Sequence, residues 1–147
     1  MSLAEGDATR QPHSWSRAEY ERMAEAGVFE PSARLELIDG VVLPRAPQST
    51  RHFTAVRLAE RALAQVFPSG HDVRSQGPLA IGGHSEPDIA VVEGSPRDYA
   101  AAHPGTAVLI IEIADSSLGF DRITKKRLYA RNGVPDCWIL DLSGAVL

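Results

Sequence analysis

The sequence contains little cysteine and no long hydrophobic run. Cys137 is its single cysteine, which excludes an internal disulfide and a multi-cysteine zinc site. The longest apolar run, Ala107 to Ile111, is far shorter than the roughly 20 residues that a membrane-spanning helix needs. The N-terminal segment also lacks the apolar core of a signal peptide. These absences predict a cytoplasmic protein that does not enter a membrane.

Lysine is nearly absent as well, because only Lys125 and Lys126 occur among 15 basic residues. Both lie in the segment from Asp121 to Arg131, which is basic although the whole chain has a net charge of −4. A lysine retained in an arginine-rich chain indicates either chance in a solvated helix or a role for a compact ammonium group. The negative net charge argues against non-specific binding of nucleic acid over the whole surface.

The chain has 147 residues, which is the length of one domain. We expect a flexible tail over residues 1–13 and a single folded domain over 14–147. Ser16 and Glu19 form a capping-box signal for a short helix to about Ala26, and Gly27 follows as its stop signal. Asp39-Gly40 stands between two β-rich runs and predicts a hairpin.

Further along the chain, apolar periodicity predicts an alternation of helices and strands. The predicted elements are a helix over 50–67, strands over 73–79, 87–92, 107–113 and 137–142, and a helix over 120–132. The helix over 50–67 is predicted to bury the stripe Phe53, Val56, Ala59, Leu63 and Val66. The last strand–helix–strand unit predicts a parallel pair of strands joined by a crossover helix.

Three carboxylates stand where the strand patterns predict apolar residues. Glu36 interrupts the first hairpin strand, Asp88 opens the strand over 87–92, and Glu112 lies near the end of the strand over 107–113. A buried carboxylate persists when it is paired or binds a metal, and oxygen donors indicate Mg²⁺ or Mn²⁺. Each residue also has a simpler interpretation: Glu36 on an exposed strand face, Asp88 in a turn, and Glu112 at a solvated sheet end.

A basic helix follows directly after the last of these acids. Asp121, Lys125 and Tyr129 recur at every fourth position and therefore share one face of that helix. Two acids and an ammonium group at a sheet edge are suited to metal-dependent hydrolysis of a phosphodiester. In that chemistry the metal polarises the phosphate and the cation stabilises developing charge.

Several segments resemble the Uma-two family of restriction-endonuclease-like proteins, which belongs to the PD-(D/E)XK nuclease superfamily. They are Pro87-Asp88, EIADSS from Glu112, and DRxxKxxxYxxxGVPxxW from Asp121 to Trp138. RLELIDG over 34–40 and His52 match too, so the resemblance covers about residues 14–147. It implies an α/β (α+β) fold with a restriction-endonuclease-like core, in which helices flank a mixed central β-sheet.

The resemblance also implies roles for individual residues. It assigns metal binding to Asp88 and Glu112, with Mg²⁺ or Mn²⁺ as the cofactor, and makes Glu36 a third, catalytic acid. The superfamily's lysine usually lies two residues after the second acid, where this chain has Ala114. The resemblance therefore implies that Lys125, from the following helix, supplies the catalytic ammonium group.

Other residues are candidates for supporting roles or for substrate contacts. The possible supporting residues are His52, Gln76, Asp121 and Tyr129. A structural role is the alternative for Gln76, and packing in the core is the alternative for His52 and Tyr129. The candidates for contact with the DNA backbone are Arg122, Lys126 and Arg127, which would position the substrate without reading its sequence. Cys137 is expected to be a small core residue without a redox role.

The leading functional hypothesis is a Mg²⁺- or Mn²⁺-dependent endodeoxyribonuclease that acts on DNA as a homodimer. The alternatives are a non-catalytic module that binds nucleic acid or protein, and a metal-dependent enzyme that acts on RNA or a nucleotide. The family pattern usually continues with further strands after 137–142, whereas this chain stops at Leu147. We therefore expect an exposed sheet edge that can pair with a second copy or aggregate.

Overall fold

The structure is a computed structural model that describes residues 10–45, 47–115 and 120–144, with only the backbone of 120–122. Most of the predicted tail over 1–13 lies outside the described residues. So do Ser116 and Ser117 of the EIADSS segment and the last three residues of the chain. In the described part of the chain, no helix is both long and apolar enough to cross a membrane.

The described residues form three α-helices, one short 3₁₀ helix and seven strands. In chain order they are α1 (Arg17–Glu25), β1 (Leu35–Ile38), β2 (Val41–Pro44), α2 (Thr50–Val66), β3 (His71–Ser75), β4 (Gly83–His84), β5 (Ile89–Glu93), the 3₁₀ helix (Pro96–Tyr99), β6 (Leu109–Ala114), α3 (Phe120–Arg131) and β7 (Asp136–Asp141). One sheet has the order β2-β1-β4 and is antiparallel. The other has the order β3-β5-β6-β7, in which only the β6–β7 pair is parallel.

The local signals for the first helix and the hairpin are confirmed. The hydroxyl of Ser16 accepts a hydrogen bond from the Glu19 backbone, and the Glu19 carboxylate accepts one from the Ser16 backbone. Asp39 (φ 51°) and Gly40 (φ 83°) both adopt the left-handed conformation that a two-residue hairpin turn requires. That turn fixes the register of β1 on β2, with Ile38 opposite Val41.

The central sheet is buried between helices, as expected for a mixed sheet flanked on both faces. All six residues of β6 are buried. Since side chains alternate along a strand, Ile110 packs with Leu128 and Tyr129 of α3, whereas Ile111 packs with Val56 of α2. Glu112 has the same parity as Ile110 and therefore faces α3.

The structure differs in detail from two of the predicted elements, the helix over 50–67 and the strand over 73–79. The predicted stripe of α2 is wrong at its ends, because Phe53 and Val66 are 55% and 70% exposed. The buried residues of α2 are instead Ala55, Val56 and Leu63, so the buried face of the helix is rotated relative to the predicted stripe. The predicted strand over 73–79 ends at Ser75, because pairing with β5 stops there and Gln76 turns the chain with φ 53°.

Candidate active site

Three buried carboxylates enter the site from strands that are distant in sequence. Glu36 lies in β1, Asp88 immediately precedes β5, and Glu112 lies in β6. They are 2%, 7% and 8% exposed. The exposed-face interpretation of Glu36 and the solvated-end interpretation of Glu112 are therefore wrong. A carboxylate held away from water at such positions requires a cation or hydrogen-bond donors.

Lys125 brings a positive charge into this group of acids. Its side chain is buried, and its Nζ lies 2.9 Å from Glu36 Oε1 and 3.8 Å from Glu112 Oε1. The neighbouring Lys126 and Arg127 are exposed on the outer side of α3. Of the two lysines in the chain, Lys125 is the one that α3 directs toward the acids.

Glu112 is the most strongly perturbed carboxylate of the site. The hydroxyl of Tyr129 donates a hydrogen bond of 2.9 Å to its Oε1. Burial, together with the nearby Asp88 and Glu36 charges, raises the pKa of Glu112 to about 8, although Lys125 and Tyr129 oppose the shift. Burial also raises the pKa of Tyr129 well above its usual range, so its hydroxyl remains a hydrogen-bond donor.

Asp88 is held on two sides. The backbone N–H of Ile113 donates a 2.7 Å hydrogen bond to Oδ2, which fixes Asp88 next to Glu112. His52 of α2 places its Nε2 3.2 Å from Oδ1, and the histidine side chain is only 13% exposed. His52 Nδ1 is also buried and has no hydrogen-bond partner in the described structure. The helix α2 thus contributes a ring nitrogen to the same carboxylate that β6 binds through its backbone.

Glu86, which the sequence did not indicate, binds the far side of Glu36 and is itself paired with Arg45. The backbone N–H of Glu86 lies 3.3 Å from Glu36 Oε2 and donates to it. The Glu86 side chain pairs with Arg45, and its pKa is lowered, because His84 and Arg45 outweigh the effect of burial. Glu86 lies two residues before Asp88, and this proximity was the available signal. Arg45 directly follows β2, far from Glu86 in the sequence, and no pattern in the sequence connected the two residues.

The remaining sequence candidates lie elsewhere. Gln76 contacts the site only through its backbone, whose N–H donates a 2.9 Å hydrogen bond to the Asp88 carbonyl. The side chains of Asp121 and Arg122 are outside the described residues. The structure therefore brings together six side chains. They are Glu36, His52, Asp88, Glu112, Lys125 and Tyr129.

The packing of Cys137 agrees with its prediction as a small core residue. Its side chain is half-buried and packs against the core on the α3 side. Burial raises the pKa of its thiol to about 11, so it is protonated at neutral pH. A protonated thiol is a poor nucleophile and a poor metal ligand.

The donor set suits a hard divalent cation that takes few protein ligands. Among the described side chains, no group of three or more His, Cys, Asp or Glu is arranged to hold a metal ion. Asp88 and Glu112 nevertheless provide two buried carboxylates that lie close enough for the Asp88 charge to contribute to the raised pKa of Glu112, after the larger effect of burial. Mg²⁺ is commonly bound by one or two carboxylates and completes its coordination with water and substrate phosphate. The two acids fit that mode of binding.

Comparison with known proteins identifies the fold and the family of the chain. A crystal structure of a "putative nuclease belonging to DUF820" from Anabaena variabilis superposes with a TM-score of 0.68 and 19% sequence identity. The match covers 88% of this chain and 75% of that one, and it shows a shared fold. No curated protein matches the chain. The family model Uma2, described as "Putative restriction endonuclease", matches residues 17–146. The chain therefore belongs to the Uma2 family, whose description and fold support a nuclease function.

Proposed function

We propose that the protein is a Mg²⁺- or Mn²⁺-dependent endonuclease that hydrolyses phosphodiester bonds of DNA. The observation that carries the proposal is a buried ammonium group, Lys125, within 2.9 Å and 3.8 Å of two buried acids, Glu36 and Glu112. Burying three carboxylates and an ammonium group together is costly for folding, which favours a catalytic use for them.

In this proposal Asp88 and Glu112 hold the cation, which, when bound, polarises the phosphate as a Lewis acid. The chain's own residues prepare that site. His52 and the Ile113 backbone orient Asp88, and the Tyr129 hydroxyl orients Glu112. Such outer partners fix the direction of carboxylate ligands.

Lys125 is proposed to stabilise the negative charge that develops on the phosphate. Its ammonium group is positioned in advance by Glu36, which the Glu86 backbone in turn holds in place. A preorganised cation in a site shielded from water stabilises a transition state more than the same charge would in bulk water. Glu36 is thus proposed to act by holding the ammonium group of Lys125 in place beside the other acids.

The basic surface of α3 is proposed to contact the DNA backbone through Arg122, Lys126 and Arg127. Lys126 and Arg127 are exposed, one and two residues after Lys125. A phosphate bound by Lys126 or Arg127 would lie close to Lys125, whose side chain reaches into the site. Because the whole chain is acidic, these contacts would concentrate nucleic acid at this face.

The test is nicking of supercoiled plasmid in Mg²⁺ or Mn²⁺. We expect the wild type to nick the plasmid, and EDTA, Asp88→Asn or Lys125→Met to reduce the rate at least 100-fold. Lys126→Met is the matched control, because it removes the adjacent, exposed ammonium group and should leave most of the activity. Thermal melting of each variant separates loss of chemistry from loss of fold.

Other outcomes would favour the alternatives. A folded wild type that binds plasmid but does not cut it in either metal would favour a non-catalytic nucleic-acid-binding module. Cleavage of RNA with no cleavage of DNA would support the same active site but with RNA as its substrate. Nicking that persists undiminished in Asp88→Asn would refute the assignment of the site.

A further inference from the structure

Phe53, in the first turn of α2, is an exposed aromatic residue that has no part in the proposed chemistry. The sequence predicted it in the core, but the residue is 55% exposed. It makes no ring contact with another aromatic residue in the described part of the chain. An exposed phenyl ring offers a flat apolar face on which another flat ring can stack.

The first turn of α2 is fixed at the end of the sheet that carries the acids. Phe53 directly follows His52, whose Nε2 lies 3.2 Å from Asp88 Oδ1. The hydroxyl of Ser49, which caps the same helix, donates a hydrogen bond to the carboxylate of Asp115. Asp115 directly follows β6. Two side chains of this turn are thus bound at the sheet edge, and Phe53 lies beside them.

The direction of α2 places Phe53 beyond the end of β3. The helix runs antiparallel to β3, because the ring of Phe67 lies 5.3 Å from that of His71, and Glu60 accepts a 3.3 Å hydrogen bond from Ser75. Ser75 is the last residue of β3. Phe53 is two turns before Glu60 on the same face of α2, or about 10 Å closer to the helix N-terminus. It therefore extends past the strand that Glu60 has already reached the end of.

This position is next to Asp88, on the face of the sheet opposite α3. Ser75 pairs in register with Ile89, the residue that follows Asp88. Residues of α2 and α3 pack on opposite faces of the central sheet. A nucleic-acid strand with a phosphate at the acids would therefore have the basic surface of α3 on one side and Phe53 on the other.

We propose that Phe53 is a stacking platform for one nucleobase adjacent to the phosphate that is cleaved. Stacking on an aromatic side chain is available to every base, so it adds affinity without sequence preference. Inside a duplex both faces of a base are covered by its neighbours, so the base must be unpaired and unstacked. Single-stranded or locally opened DNA is therefore the form bound. This inference rests on the proposed nuclease function and adds the form of the strand to it.

The test measures binding of a fluorescein-labelled single-stranded DNA 12-mer to the full chain in Ca²⁺ by fluorescence anisotropy. We expect Phe53→Ala to bind about tenfold more weakly than the wild type, and Phe53→Trp to bind as tightly. Leu58→Ala is the matched control, because Leu58 is 50% exposed on another side of the same helix and should not affect binding. On a closed duplex without free ends, Phe53→Ala should bind as the wild type does.

A series of 12-mers, each with one abasic position, separates a contact with the base from an effect on the fold. In the wild type, one abasic position should weaken binding about tenfold, and in Phe53→Ala the same position should cost little more. The strand should also quench the tryptophan emission of Phe53→Trp more than that of the wild type. Phe53→Ala should melt at the same temperature as the wild type, because the ring is exposed.

Three results would overturn the inference. If the wild type nicks plasmid but Phe53→Ala binds the single strand as tightly as the wild type, the nuclease proposal stands and the platform does not. If Phe53→Ala weakens the intact strand and every abasic strand by one factor, the ring shapes α2 instead of stacking. A wild type that binds no single strand also removes the platform. Binding that depends on Phe53 in a wild type that cuts no DNA would support the platform and remove the nuclease.

Discussion

Glu112 makes the stability of the protein depend on pH. Its folded pKa of about 8 lies above the ordinary value of 4.5, so the folded chain binds this proton more tightly than the unfolded chain. The resulting stabilisation is fully present below about pH 4.5 and is lost as the pH rises through 8. The direction is opposite to that of a carboxylate that is stabilised by a salt bridge.

We therefore expect the free energy of unfolding, measured by urea denaturation without divalent cations, to decrease between pH 5 and pH 8. The contribution of this one proton is about 1.4 kcal/mol per pH unit at most. Glu112→Gln cannot titrate and should lack that contribution, while every other titrating group is unchanged. Parallel pH profiles of wild type and Glu112→Gln would contradict the raised pKa.

Lys125 and Glu36 form a buried pair whose members depend on each other. Lys125→Met leaves the Glu36 carboxylate buried without its cation, and should cost about 3–5 kcal/mol in the free energy of unfolding. The double variant with Glu36→Gln removes that uncompensated charge and should recover part of the loss. Lys126→Met, at an exposed position, should stay within about 0.5 kcal/mol of wild type. Strictly additive effects in the double variant would show that the pair is not coupled.

Among the elements, α3 is held in place by a close approach to Gly82. A Cβ added at Gly82 would lie 2.2 Å from a methyl carbon of Leu128, which is 1% exposed. Leu128 precedes Tyr129 and lies one turn from Lys125. The position of Gly82 therefore affects the helix that carries both side chains.

Gly82→Ala is expected to destabilise the protein more than Gly27→Ala. Both glycines have positive φ, 60° and 72°, so both substitutions incur left-handed strain of about 1–2 kcal/mol. Around Gly27 nothing lies within 4 Å, whereas Gly82→Ala adds overpacking of about 1–3 kcal/mol. Urea denaturation of the two variants measures the difference, and equal losses would show that Leu128 adapts freely.

The exposed side of α3 should contribute salt-dependent binding. Each phosphate contact changes the slope of log K against log[salt] by about 0.9. Arg127→Ala should therefore reduce the slope of DNA binding by about one unit without changing the nicking rate at saturating DNA. Arg131→Ala is the control on the same helix, because Arg131 pairs with Asp39 at 2.9 Å. An unchanged slope in Arg127→Ala would place the DNA elsewhere.

The sequence predicted elements well where their signals are local. The capping box of α1, the Asp39-Gly40 turn and the parallel β6–β7 unit depend on neighbouring residues or on strong apolar runs. The rotation of α2 and the end of β3 depend on packing between distant segments. For the same reason the acids and Lys125 stood out as polar residues in apolar patterns, whereas the contact of His52 with Asp88 did not.

At the scale of the whole molecule, β7 is an open edge of the four-stranded sheet within the described residues. Trp138, Ile139 and Leu140 of β7 are 55%, 39% and 41% exposed. An edge strand with unpaired backbone groups and exposed apolar side chains readily pairs with another strand. Within the described residues this edge is open to pairing, and we propose that two copies pair there as the homodimer.

Sedimentation velocity over a range of protein concentrations tests this pairing. We expect the wild type to self-associate, and Ile139→Lys to remain monomeric, because a charge on an edge strand opposes pairing. Val28→Lys is the control, since Val28 is 63% exposed and lies outside the sheets. Equal self-association of both variants would place the interface away from β7.

The residues of the site are spread along the chain from Glu36 to Tyr129, so they are synthesised one after another. A growing chain releases β1, Asp88 and β6 from the ribosome before α3, so the three acids emerge ahead of the one ammonium group that joins them. Until Lys125 arrives, the acids repel one another and have no reason to stay buried together. In the proposed nuclease, a partly synthesised copy or a proteolytic fragment that lacks α3 would therefore be unable to cut, so only chains that include α3 would hydrolyse a substrate.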